Sequence, residues 1–160
     1  MWEARVRVSD EGDVTVSLHD VPIPKPQKGQ VLIAVVVSGT NPKDWKLPAS
    51  MEIAQGTNSG DDMAGVVEAV GEGVLDFKTG DRVAAFHQIL TPHGSFAEYA
   101  LAWEKSTFHL PQDITFEEGA TIPLAAATAA VALFRLRPRH IGKSLAMLEK
   151  QGNVRNITLL

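Results

Sequence analysis

The stretch GDDMAGVVEAVGEGVLDFKTGDRV, residues 60–83, decides the fold. Val66, Val67, Ala69 and Val70 suggest a strand that "GEG" ends, and "GDRVAAF" (80–86) opens on a turn and becomes a second strand. Glycine punctuation at this spacing belongs to β-structure. Asp61 and Asp62 sit at the front of the unit. Side-by-side carboxylates can ligate a metal, exchange protons or make a turn, and the turn-then-strand reading needs no chemistry from them.

Working outward, the N-terminal two thirds read as strands. Trp2, Ala4, Val6 and Val8 alternate with polar residues, and Val14, Val16 and Leu18 repeat the pattern across the turn "SDEGD". The prolines of "VPIPKPQKGQ" (21–30) exclude helix there. "VLIAVVVSG" (31–39) is apolar at both parities, which predicts a strand buried on both sides, and "SFAEYALA" (95–102) alternates again. Several short strands at close spacing argue for a small barrel or sandwich.

The period then changes. "TFEE" (115–118) fits a capping box with Thr115 as N-cap and Glu118 three residues on. "PLAAATAAVALFRL" (123–136) begins with proline at a first helical position and is rich in alanine, so a closely packed helix is expected. "KSLAMLEKQG" reads as a short helix ending before Gly152, and "VRNITLL" (154–160) as a final strand.

Composition narrows the classes. The chain has 160 residues, 44% hydrophobic and 21% charged, and a net charge of -4. That length supports a real core, and the charge gives no reason to expect a nucleic-acid partner. No apolar run approaches the ~18 residues of a membrane helix, and "MWEARVRV" is no signal peptide. The absence of cysteine removes thiolate metal sites and fits a reducing compartment, so a cytoplasmic location is expected. Residues 133–160 hold six Lys or Arg and one Glu, a net +5 that leaves -9 on the rest. Part of this excess offsets a helix C-terminal dipole.

Residue chemistry alone names no reaction. The five histidines lack zinc-helix or zinc-knuckle spacing, although His87 and His93 flank one loop and could meet in space. No serine sits in a nucleophile elbow, and "GEGVLDFKTG" opens no helix and lacks the third glycine of a dinucleotide loop.

The order of motifs is more specific. "SGTNPKDWKLP" (38–48), the 60–83 stretch, "GSFAEYALA" (94–102) and "LPQDITFEEGATIPLAAATAAVALF" (110–134) together resemble the medium-chain dehydrogenase/reductase superfamily, over residues 4 to 136. The resemblance is to the GroES-like catalytic half, in the zinc-independent quinone-reductase and enoyl-reductase branch. "NPKDWK" is similar to trans-acting enoyl reductases of fungal polyketide pathways. It implies a mostly β, partly open GroES-like barrel with C-terminal helices over residues 1–136. It implies NADPH as cofactor, hydride transfer to an activated alkene, and a small enoyl or quinone substrate. A polyketide synthase or a full-length relative is the protein partner it suggests.

Register carries the site residues over. Zinc-dependent relatives keep a cysteine where Asn41 stands and a His-Glu pair where Asp61 and Asp62 stand, so the resemblance implies no catalytic metal. Asn41 is expected to offer its amide to cofactor or substrate. Lys46 is expected to neutralise a phosphate or a developing enolate, as cofactor-binding and catalytic residue. Thr128 is expected to bond near the nicotinamide. Each also has a plain reading: Asn41 holding the turn before Pro42, Lys46 solvated, Thr128 bonding its own helix. Asp62 is expected to accept backbone hydrogen bonds at its turn.

In the family a Rossmann domain follows the alanine-rich helix. Residues 137–160 show no strand–glycine loop–helix unit and are too few for a βαβ unit of ~30 residues. The expectation is an atypical basic tail where the Rossmann domain is absent or truncated, with NADPH bound weakly or not at all. The alternatives are a non-catalytic GroES-like interaction domain and, further off, a remnant of a zinc alcohol dehydrogenase.

Overall fold

The computed structural model describes residues 1–135. Residues 1–127 form one compact unit and a second begins at Thr128. The expected helix at 143–152, the strand at 154–160 and the tail 137–160 lie outside the described residues.

The chain opens with a hairpin. β1 (Trp2–Val8) pairs antiparallel with β2 (Val14–Asp20), Val6 facing Val16 and Val8 facing Val14. The turn between them closes through Ser9 N–H to the Asp13 carbonyl at 2.9 Å, with Gly12 at φ +90°. Val6 and Val8 are buried, but Trp2, Val14, Val16 and Leu18 are not. Alternation therefore marks the strands correctly and overstates what they bury.

The main sheet has five antiparallel strands. These are β3 (Gln30–Gly39), β4 (Asp62–Val70), β5 (Arg82–Phe86), β6 (Tyr99–Trp103) and β7 (Thr107–His109), in the order β6-β3-β4-β5-β7. It curls into the half-barrel that the GroES-like reading expects. The core is Val31, Ile33, Met63, Val67, Val83, Ala85, Ala100 and Ala102 with Phe77 across one end. Burying Ile33 alone contributes roughly 1.5–3 kcal/mol.

β3 is less buried than its apolar sequence predicts. Val35 faces Gly65 and Val37 faces Ala64, so Val36 is an extra residue, a bulge, and its side chain is half-exposed. Gly65 is required by this pairing, because a β-carbon there would strike the Ala34 carbonyl. β6 starts at Tyr99 rather than Ser95. The backbone before it is committed elsewhere: Ser95 N–H to Gly60 O, and Glu98 N–H to Trp2 O.

Three α-helices and two 3-10 turns, Glu52–Ala54 and Glu104–Ser106, complete the described residues. α1 (Lys43–Ser50) has Asp44 and Pro48 buried; the sequence suggested no element in this stretch, and Pro48 stands inside the helix. α2 (Phe116–Ala120) carries the expected capping box: Glu118 N–H donates to Thr115 Oγ1 at 3.2 Å, and Thr115 N–H to Glu118 Oε2 at 2.9 Å. α3 (Pro123–Ala130) gives way to a π turn at Val131–Arg135, short of the α-helix to 136 that the sequence suggested. Pro123 is its one buried residue among those described, and Ala125–Thr128 are exposed. The small side chains do not bring the close packing expected of them there.

Candidate functional site

Asp61 and Asp62 are neighbours whose side chains serve different structures. Asp62, the first residue of β4, accepts from Asn41 Nδ2 at 3.0 Å and from the Leu124 backbone N–H at 2.7 Å. It therefore holds no local turn. It ties the segment before α1 to the first turn of α3, where helix N–H groups lack internal partners and favour an anion. Burial pushes its carboxyl pKa up from 3.8. The bonds from Asn41 and Leu124 oppose that rise, while nearby Asp61 and Asp44 add to it.

The Asn41 amide is oriented by this contact. A carboxylate only accepts, so the Asn41 NH2 faces Asp62 and Oδ1 is the end left for another partner. Asn41 N–H in turn donates to Asp44 Oδ2 at 2.7 Å, so Asp44 holds the turn into α1.

Asp61 lies in a buried charge cluster. Lys43, at the start of α1, places Nζ 2.5 Å from Asp61 Oδ2 as an ion pair outside hydrogen-bond alignment. It donates to Asp44 Oδ1 and to the Ser59 carbonyl, each at 2.7 Å. Asp61 Oδ1 meets His87 Nδ1 at 2.9 Å. His87 Nε2 faces the Pro92 carbonyl at 3.0 Å and Thr91 Oγ1 at 3.0 Å, and the Thr91 hydroxyl gives its own proton to Gln88 O. Both ring nitrogens thus face acceptors. Asp61 and His87 are about 2–3% exposed and Lys43 17%. Paired cations and carboxylates at that depth hold together because neither is left alone.

This arrangement does not fit a metal. The Asp61 carboxylate is already engaged by an ammonium and an imidazole, and Asn41 turns its NH2 toward the remaining acid. Among the described residues no three His, Asp or Glu side chains converge on one point. His87 and His93 flank one loop, as the sequence suggested, but His87 is spent on Asp61 and the loop backbone.

The Lys46 side chain, also expected at the site, takes no part in this network. Lys46 is exposed, its Nζ 5.4 Å from the Trp45 ring centroid. Thr128 is exposed on α3, in the second unit. A cleft of about 540 Å³ lies between residues 21–24 and 90–93, and neither Asn41 nor Lys46 lines it. Sequence reasoning missed Lys43, Asp44 and the role of His87. No local signal separates Lys43 from Lys46, which are i,i+3 neighbours on α1; the contacts of Lys43 to Asp61 and the Ser59 carbonyl do.

Residues 27–112 match the family model of the alcohol dehydrogenase GroES-like domain. The chain belongs to that family. Through it, this GroES-like chain joins the medium-chain dehydrogenase/reductase superfamily that its motifs resemble. It is 53% identical over 129 residues to a trans-enoyl reductase of Gibberella fujikuroi, covering 78% of this chain and 38% of the relative. It is 38% identical over 154 residues to a quinone oxidoreductase of Rattus norvegicus, covering 93% and 46%. An alcohol dehydrogenase superfamily protein of Novosphingobium aromaticivorans superposes with a TM-score of 0.71 at 29% identity, over 85% of this chain and 42% of that one. The GroES-like chain thus spans less than half the length of these relatives. NADPH is bound in solved structures of a mycobacterial protein and of the Escherichia coli quinone oxidoreductase. No described helix is long and apolar enough to cross a membrane.

Proposed function

We propose that this chain supplies the catalytic domain of a zinc-independent, NADPH-linked reductase acting on an enoyl or quinone substrate. The observation that carries the reading is that Asn41 and Asp61, where the resemblance implies zinc ligands in other relatives, are committed to a carboxylate and to an internal cation. Asn41 is oriented by Asp62, and Asp61 is neutralised by Lys43. The similarity to trans-enoyl reductases and quinone oxidoreductases supports the same chemistry.

NADPH, when bound, supplies the hydride. The chain's own contribution is placement: Asn41 Oδ1 accepts a hydrogen bond from the cofactor or substrate, in a position set before either arrives. Lys46, exposed beside Trp45, neutralises phosphate or developing negative charge, and Thr128 adds a hydroxyl. We take residues 1–136 as the catalytic domain and 137–160 as a basic segment, and an activated alkene carried by a polyketide synthase as the substrate form.

Residues 1–135 contain no glycine-rich phosphate loop, so this chain alone holds NADPH weakly or not at all, with activity weak to match. Calorimetric titration of the purified chain with NADPH tests this. Binding weaker than micromolar is expected; micromolar binding overturns it.

A further inference from the structure

The hairpin leaves one edge and one apolar stripe without a partner among the described residues. Ser9 N–H bonds Asp13 O, and Val21 N–H bonds Met1 O. Antiparallel pairs alternate, so Thr15, Ser17 and His19 turn their backbone groups toward β1. Val14, Val16 and Leu18 therefore turn theirs outward, and their side chains are 50%, 63% and 68% exposed. Residues 14–18 contain no charge, proline or bulge, the features that usually keep such an edge from pairing.

We propose that β2 pairs antiparallel with β2 of a second copy of this chain, about a two-fold axis at Val16. That register sets Val16 against Val16 and Val14 against Leu18, so every apolar residue of the stripe meets another. It also sets Asp13 opposite His19 twice, in the non-hydrogen-bonded pairs where side chains approach most closely. Asp13 is exposed and His19 half-buried, so both can reach across. Moving the axis to Ser17 would place Asp20 against Val14 and His19 against Thr15; moving it to Thr15 would place Gly12 against Leu18. Register is thus specified by apolar match and by the Asp13–His19 pairing together. The contact is smaller than the ~1,600 Å² of a standard interface, so the dimer is weak and reversible.

Sedimentation of the purified chain from about 10 µM to about 1 mM tests this, a range that brackets a weak complex. A reversible monomer–dimer equilibrium is expected. Val16→Lys weakens it by about 10-fold or more, with an unchanged circular dichroism spectrum because Val16 is exposed. Asp13→Lys and His19→Glu each weaken it, and together they restore it to within about 3-fold of the parent. A chain that stays monomeric throughout overturns the proposal. So does a dimer that Val16→Lys leaves intact, or a charge swap that fails to restore it.

Discussion

Asp62 accepts the backbone N–H of Leu124 at 2.7 Å, so a carboxylate at the start of β4 caps a helix 62 residues further along the chain. The same carboxylate orients Asn41. One side chain therefore sets both the first turn of α3 and the amide expected to meet cofactor or substrate. Replacing it with alanine removes a cap and a charge-assisted bond, and costs about 2–3 kcal/mol in urea unfolding.

The pH dependence of the same group has a definite sign. Its folded pKa is raised above 3.8, first by burial, so the folded state holds the proton more tightly than the unfolded one. The Asp62 contribution to stability is most favourable below 3.8 and falls as pH rises from there through the raised folded value. Asp62→Asn removes this component. Denaturation of both proteins across that window should show the parent losing stability relative to the variant as pH rises; parallel curves would count against the burial argument.

Lys43 and Lys46 make a matched pair of tests. Lys43→Met leaves Asp61 and Asp44 buried without their shared cation and costs about 3–5 kcal/mol. Lys46→Met touches an exposed side chain and changes stability by about 0.5 kcal/mol or less. Urea midpoints of the two variants decide between the buried and the exposed lysine as the structural one.

Gly65 is a steric requirement. Gly65→Val drives a side chain into the Ala34 carbonyl across the β3–β4 pair and costs roughly 3 kcal/mol or more. Gly12→Ala has open space around it and only an unfavourable φ of +90°, so it costs about 1–2 kcal/mol. Thermal unfolding of the two variants separates steric contact from backbone strain.

What was legible in the sequence was local. Period-two patterns and glycine turns placed six of the strands, and Thr115 with Glu118 announced α2, because a capping box is written in four adjacent residues. β7 is three residues long and too short for a period. α1 was hidden because Pro48 stands inside its eight residues, and its start is held by long-range contacts such as Ser59 Oγ to the Asp44 carbonyl. Lys43 and Lys46 are three residues apart, neighbours on one side of α1, so what separates them is the tertiary partners Asp61 and Ser59 that Lys43 meets. The expectation fell on the exposed one. Asn41 was expected at the site through family register, but the contact with Asp62 that orients it was not. No local rule links residue 62 to residue 124.

The account rests on a metal-free centre in which Asp62 sets the Asn41 amide. The most direct measurement joins residues 1–135 to the remainder of the Gibberella fujikuroi trans-enoyl reductase, in place of the portion they match, and follows NADPH oxidation with an enoyl substrate. The account predicts turnover that persists after exhaustive chelation and falls by about 100-fold or more in Asn41→Ala, as when a positioning donor or acceptor is lost. Turnover that disappears on chelation and returns with zinc, or that is indifferent to Asn41→Ala, would contradict it.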